Sequence, residues 1–275
     1  MSRIAVCAPA TPITRDIAAR VTALAEAEFP ELTLDFHEQC FAAEGHFAGP
    51  DSLRLSALLD CANDPATDAV WFARGGYGSN RIAEAALGRL DDAARGNAYL
   101  GFSDCGFLLA GLYARSIGRP AHGPMAGNMA APNGEESIRR ALGWFAGRTD
   151  GLEPTLDGRP TVAFNLITLA ALTGTTLMPD LTGHVVIVEE VAEHLYAIDR
   201  LFFHLAAHLT GAAGIRLGMV TAVPENDRPF GSEAEDIARH WCGAAGIPYL
   251  GRALVGHDPA NRIVPFGLAA HGRGA

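Results

Sequence analysis

No run in the 275-residue sequence approaches the ~18 consecutive apolar residues of a membrane-spanning helix. A secretory leader is not expected either. The chain opens Met-Ser-Arg and passes into the apolar run Ile4 to Cys7, too short for a leader's hydrophobic region and broken by Pro9 and Pro12. A cytoplasmic protein is expected. There is no basic stripe, and the net charge is -10. Nucleic acid and anionic membrane surfaces, which need Lys and Arg to neutralise phosphate, are therefore not expected partners. Cysteines number five: Cys7, Cys40, Cys61, Cys105 and Cys242. They are widely spaced, odd in number and form no CxxC pair, which argues against a disulfide framework and a zinc site. They read as small buried hydrophobes. Repeats and low-complexity tracts are absent. Hydrophobic residues make up 49% and charged residues 19%, which supplies a core and excludes disorder. The length suits two modest domains or one large one.

The first half alternates strands and helices. Residues 3–8, 32–36, 69–73 and 99–102 read as strands, and 14–28, 52–62 and 81–90 as helices with apolar residues at helical spacing. Repeated βα units with continuous apolar strands predict an α/β fold with a parallel sheet covered by helices. Residues 128–135 are rich in Pro, Asn and Gly, a helix follows over 136–145, and 147–160 carries more Gly and Pro. This predicts an N-terminal α/β domain over 1–135, a crossover over 136–160 and a C-terminal domain over 161–275. In the second half, 165–174, 198–209 and 232–245 read as helices and 185–190 and 216–223 as strands. A capping box of Ser232 and Glu235 opens the last helix, and Gly246 follows it.

Polar residues cluster where apolar strands end, the side of an open parallel sheet on which ligands bind. Arg74-Gly75-Gly76-Tyr77-Gly78 follows one strand. Its glycines suit either an anion or oxyanion cradle or a plain tight turn. It is neither a P-loop nor a dinucleotide fingerprint. Gly101-Phe102-Ser103-Asp104-Cys105-Gly106 follows another. A serine at a strand-to-helix turn exposes its hydroxyl near backbone N–H groups that can hold an oxyanion. Alternatively, Ser103 or Asp104 caps the helix over 105–116. Cys105 is a weaker candidate nucleophile, since its side chain would point back into the helix.

Val185-Val186-Ile187-Val188-Glu189-Glu190 ends a buried strand in two carboxylates, which alternation sends to opposite faces. One can face a histidine while the other meets Arg200 or solvent. His204 and His208 share a helix face but lack an accompanying carboxylate, so no metal is expected there. His257 lies in the loop Gly256-His257-Asp258-Pro259, where reacting residues are common.

Taken in order, these segments resemble the LD-carboxypeptidase family of serine peptidases. The resemblance rests on Ala8-Pro9-Ala10-Thr11-Pro12, Arg74-Gly75-Gly76-Tyr77-Gly78, Gly101-Phe102-Ser103-Asp104 and His122-Gly123-Pro124-Met125. It continues through Asn165-Leu166, Val188-Glu189-Glu190-Val191, Tyr196 to Arg200, Gly256-His257 and Pro265-Phe266-Gly267. It implies a catalytic triad of Ser103 as nucleophile, Glu189 as orienting acid and His257 as general base. The N–H groups of Asp104 and of Gly75 or Gly76 would hold the oxyanion, and Arg74 and Tyr77 would bind substrate. It also implies a flavodoxin-like N-terminal domain, a smaller β-rich C-terminal domain, an interdomain active site, a homodimer and no cofactor. The substrate would be a small peptide, the murein tetrapeptide stem, losing its terminal D-alanine in cell-wall recycling.

Three positions depart from the family pattern. Ala163-Phe164-Asn165 stands where the family tends to have Gly-Gly-Asn, Glu189-Glu190 where it has Glu-Asp, and Gly256-His257-Asp258 where it has Gly-His-Gly. Phe164 and Asp258 thus bear on specificity. Two other readings stand beside the first: a hydrolase of peptide- or aminoacyl-nucleotide amides, like the microcin C immunity enzyme, and a catalytically silent peptide binder.

Overall fold

The computed structural model describes residues 1–267. Strands β1 (Ser2–Cys7), β2 (Leu32–Phe36), β3 (Ala69–Phe72), β4 (Ala98–Gly101) and β5 (Arg119–His122) form a parallel sheet in the order β2-β1-β3-β4-β5. Helices α1 (Arg15–Glu28), α2 (Asp51–Ala62), α3 (Ser79–Leu87), α4 (Gly106–Ala114) and α5 (Gly134–Phe145) belong to this part of the chain. The second sheet holds β6 (Thr161–Asn165), β7 (Val185–Val191), β8 (Gly214–Thr221) and β9 (Tyr249–Arg252), adjacent in sequential order and all parallel. Its helices are α6 (Leu166–Leu172), α7 (Leu195–His208) and α8 (Ala234–Ala245). A short strand, β10 (Val264–Pro265), returns to pair antiparallel with β5. The expected α/β class and the flavodoxin-like strand order hold.

Every residue of β3 and β6 is buried, as the continuous apolar runs of a covered parallel sheet require. One apolar cluster joins the two halves: Leu108 and Leu109 of α4 pack in the same core as Phe164 of β6, Leu169 of α6 and Ile198 of α7. On the opposite face of the first sheet, Val21 of α1 and Ile138 and Leu142 of α5 pack with Ile4, Val6 and Trp71. The segment 136–160, expected as a crossover, thus begins with a helix in the first sheet's core. The expected terminal boundary at 275 lies outside the described residues.

Local signals explain most element ends. Thr14 caps α1 by accepting from Ile17 N at 3.3 Å. Gly246 ends α8 at φ +68, as expected. The capping box of α8 is formed by Glu233 and Asp236, not by Ser232 and Glu235. The helix begins at Ala234, two residues later than predicted, and the capping pair shifts by one because both pairs are polar at the same spacing. Residue 165 was expected to open a helix, yet it ends β6 and caps α6 from there, with Asn165 Oδ1 accepting from Thr168 N at 3.3 Å. Strands β5, β6, β9 and β10 were not expected. They are only two to five residues long, and β5 contains a proline.

Candidate active site

The site grows from the carboxyl end of β4. Phe102 continues extended, and Ser103 then takes φ +57, a left-handed conformation that a non-glycine residue holds only when its surroundings impose it. A 3-10 turn over Ser103–Cys105 leads into α4. The Asp104 side chain is buried and caps the neighbouring helix α3, accepting from Ser79 N at 2.8 Å and Gly78 N at 3.2 Å. Its backbone carbonyl accepts from Ser79 Oγ at 2.6 Å. Burial raises the Asp104 carboxyl above its ordinary range, with the Ser79 and Gly78 bonds opposing. Asp104 therefore clamps the serine turn to the glycine turn. The Cys105 thiol is wholly buried, pushed far up by burial and turned toward Arg74 O at 3.7 Å, which leaves it inert.

The glycine turn lies against this serine. A Cβ on Gly75 would stand 3.2 Å from Ser103 Oγ, so glycine keeps the hydroxyl uncrowded. Gly76 has φ +103, and a Cβ there would meet Thr11 Cγ2 at 2.6 Å. Thr11 Oγ1 donates to Gly75 O at 2.6 Å. The wholly buried Arg54 donates to Pro9 O, to Gly78 O at 2.8 Å and to Asp51. It ties the 8–12 loop to the end of the glycine turn. Arg74 and Tyr77 are exposed, and Arg74 has no ion-pair partner among the described residues.

The second sheet brings the other two groups. Glu189, near the end of β7, is fully buried and its Oε2 lies 2.8 Å from His257 Nδ1. His257 Nε2 lies 3.1 Å from Ser103 Oγ. The His257 side chain keeps 23% exposure, so the ring can be reached from solvent. Phe102 packs against it with ring centroids 4.8 Å apart. Room for the carboxylate is made by two glycines. A Cβ on Gly218 of β8 would meet Val255 O at 2.4 Å and Glu189 Cβ at 2.9 Å. One on Gly256, at φ +144, would meet Glu189 Oε2 at 3.2 Å.

The neighbouring carboxylate, Glu190, points the other way. It accepts from Asn165 Nδ2 at 2.8 Å, Val191 N at 2.9 Å and Ile167 N at 3.0 Å. Burial still raises its pKa. The alternative of an ion pair with Arg200 does not form: that guanidinium lies over the Tyr196 ring at 5.7 Å. His204 bonds Thr173 Oγ1 at 2.7 Å, and His208 Nδ1 bonds the His204 carbonyl at 2.9 Å. Among the described residues, no three His, Cys, Asp or Glu side chains are grouped as metal ligands. No helix there is long and apolar enough to cross a membrane.

Ser103, His257 and Glu189 form a hydrogen-bonded chain, with Arg74, Gly75, Gly76, Tyr77 and Asp104 on the adjoining turns. Such a chain can draw a proton from a serine hydroxyl and hold it on a ring fixed by a carboxylate. Sequence reasoning missed Arg54, Gly218 and Asn261. Nothing in the apolar pattern of 52–62 marks Arg54 as buried, and Gly218 sits inside a strand. Asn261 accepts from Gly256 N at 2.9 Å, a fold-back that loop composition does not announce.

Two sheet-based α/β halves sharing a core, with a serine from one and a histidine and glutamate from the other, define a class of hydrolase architecture. Family models make the assignment specific: the LD-carboxypeptidase N-terminal domain matches residues 4–123 and the C-terminal domain residues 160–271. The chain belongs to the LD-carboxypeptidase family and is a hydrolase of the peptidase type. It is similar to the murein tetrapeptide carboxypeptidase of Pseudomonas aeruginosa, with 27% identity over 289 residues, 98% of this chain and 92% of that protein. The muramoyltetrapeptide carboxypeptidase of Oxalobacter formigenes superposes with TM-score 0.79 at 21% identity, over 98% of this chain and 96% of that one. The microcin C7 self immunity protein in its wild-type apo state superposes with TM-score 0.75 at 18% identity, over 97% and 91%.

Proposed function

We propose that this chain is a serine-type LD-carboxypeptidase that removes the terminal D-alanine from murein tetrapeptide stems in cytoplasmic cell-wall recycling. The observation that carries the reading is the chain from Ser103 Oγ to His257 Nε2 at 3.1 Å and from His257 Nδ1 to Glu189 Oε2 at 2.8 Å. In this reading His257 accepts the Ser103 proton as Oγ attacks the scissile carbonyl. The negative charge passes to the carbonyl oxygen, which takes hydrogen bonds from the N–H groups of Asp104 and of Gly75 or Gly76. Buried Glu189 stabilises the imidazolium and fixes its tautomer. His257 then gives its proton to the departing D-alanine amine. Water, deprotonated by the same ring, attacks the acyl-serine and releases the shortened peptide. The exposed Arg74, lacking an ion-pair partner among the described residues, suits the free carboxylate of the terminal residue. Tyr77 lines the same rim.

Mass spectrometry of a purified tetrapeptide stem, incubated with wild type and with Ser103→Ala, tests this. Loss of one alanine with wild type alone is the expected result. Loss with both proteins, or with neither, contradicts it. The fold shared with the microcin immunity protein favours a second substrate class, since that protein was solved in complex with aspartyl sulfamoyl adenosine. Cleavage of an aminoacyl-nucleotide conjugate, with the stem left intact, would move the reading there.

A further inference from the structure

His122 closes β5, opposite Gly101 of β4 and Val264 of β10. The residue is only 1% exposed. Its ring packs against Phe102 with centroids 5.4 Å apart, and Phe102 packs in turn against His257. Glu189 on β7 and His257 in the loop after β9 are the titratable groups that act on it, and the Asn261 carboxamide and the Ala163 carbonyl lie beside it. Three buried polar atoms of this group have no hydrogen-bond partner among the described residues: His122 Nε2, Glu189 Oε1 and Asn261 Nδ2. Their bonding roles are complementary. The carboxylate oxygen only accepts, the amide nitrogen only donates, and a neutral imidazole nitrogen can carry a proton. The amide is held in one orientation, because Asn261 Oδ1 already accepts from Gly256 N at 2.9 Å and its backbone oxygen accepts from Arg140 Nη1 at 2.8 Å.

We propose that His122 is a positioning residue: its neutral imidazole supports the Glu189 oxygen that His257 leaves free, through one ordered water that Asn261 also holds. The water accepts from Asn261 Nδ2–H, donates to Glu189 Oε1 and bonds His122 Nε2, whose role as donor or acceptor follows the ring tautomer, which makes the three bonds usual for a buried water. The inference rests on the serine-hydrolase reading of this site. A neutral partner is what the chemistry needs here. Burial pushes the His122 pKa down to about 4, so the ring adds no positive charge at neutral pH. The Glu189 carboxylate then acts on the His257 imidazolium alone, whereas a cation at this place would compete for it. Holding the second oxygen also fixes the carboxylate plane, and with it the direction of the bond to Nδ1.

The test compares wild type with His122→Phe, which keeps a ring against Phe102, and His122→Gln, which keeps a neutral hydrogen-bonding group. Three readouts are taken: the pH profile of kcat and KM, the His257 ring titration by NMR, and the rate at which a fluorophosphonate labels Ser103. His122→Phe is expected to lower kcat about 10- to 100-fold, with KM changed by less than about twofold. Unsupported, Glu189 attracts the proton on His257 more strongly. The His257 titration and the acidic limb of kcat/KM therefore move up by about half a unit or more. His122→Gln recovers most of the rate and returns the titration toward wild type. Should His122→Phe not fold, His122→Asn, which is too short to reach the bridge, carries the same expectation. Wild type that labels at Ser103, with variants whose His257 titration does not move, overturns the inference alone. Equal impairment of the Phe and Gln variants does the same. Wild type that does not label removes the serine-hydrolase reading and the inference with it.

Discussion

Gly218→Ala is the sharpest perturbation of the proposed chemistry, because it adds one methyl group and changes no polar atom. Gly218 lies in β8, behind Glu189. An added Cβ would sit 2.4 Å from Val255 O and 2.9 Å from Glu189 Cβ. Restoring an ordinary separation of roughly 3.5 Å to the Val255 oxygen requires a displacement of about 1 Å. Val255 precedes Gly256 and His257, so both sides of the Glu189–His257 bond are pushed. A misplacement of about 1 Å costs on the order of 100-fold in rate, or about 2.7 kcal/mol in the barrier. The assay is steady-state release of D-alanine from the tetrapeptide stem, with circular dichroism to verify the fold. The loss should fall on kcat, with KM little changed. Gly243→Ala is the control. That glycine lies inside α8 with nothing within 4 Å of its added Cβ, so the change should stabilise by about 0.5–1 kcal/mol and leave the rate alone. A folded Gly218→Ala enzyme with wild-type kcat would refute the claim that Glu189 is held in place by packing against Gly218.

The two adjacent carboxylates should separate cleanly. Glu189→Gln should lower kcat by on the order of 10⁴-fold with the fold intact. Glu190→Gln, which weakens bonds to Asn165, Ile167 and Val191, should cost about 1–3 kcal/mol of stability in urea titrations while sparing kcat. The reverse pattern would exchange their roles. Arg74→Ala should raise KM for the stem about tenfold or more and leave kcat nearly unchanged, as loss of uniform binding does; an unchanged KM removes Arg74 from substrate binding. Stability should also fall on acidification. The His122 pKa is lowered from 6.5 to about 4, so the unfolded chain binds more protons between those values and stability drops as pH falls through that window. The loss reaches about 2 kcal/mol by pH 5. Asp104 and Glu190, whose pKa values burial raises, act in the opposite sense within the carboxylate range. Urea titrations at pH 7 and 5 should show a smaller drop for His122→Gln than for wild type, and equal drops would refute the assignment.

Much of this architecture was legible along the chain. The apolar runs that became β1, β3 and β7 are long or pure enough to declare themselves, β2 shows itself by alternation, and Thr14 and Gly246 mark their helix ends through local backbone bonding. Strand β6 escaped notice because Thr161–Asn165 runs directly into α6 with no turn residue between, so one apolar stretch holds two elements. The capping box of α8 slipped by one residue because Glu233 and Asp236 offer the same spacing as Ser232 and Glu235.

The sequence by itself determined the α/β class, the serine at the end of a strand, the glycine turn and the pair of carboxylates, since each is written in contiguous residues. Strand alternation also required Glu189 and Glu190 to face opposite sides. Which of them meets the histidine was decided only by tertiary structure. It follows from Asn165 and the start of α6 taking Glu190, and from Gly218 and Gly256 opening a space for Glu189. The same holds for Ser103 and His257, which lie 154 residues apart in the chain and 3.1 Å apart in the fold. The physical reason is that local backbone preference acts over a few residues, whereas a proton path across two sheets depends on strand order and on how closely the backbones pack.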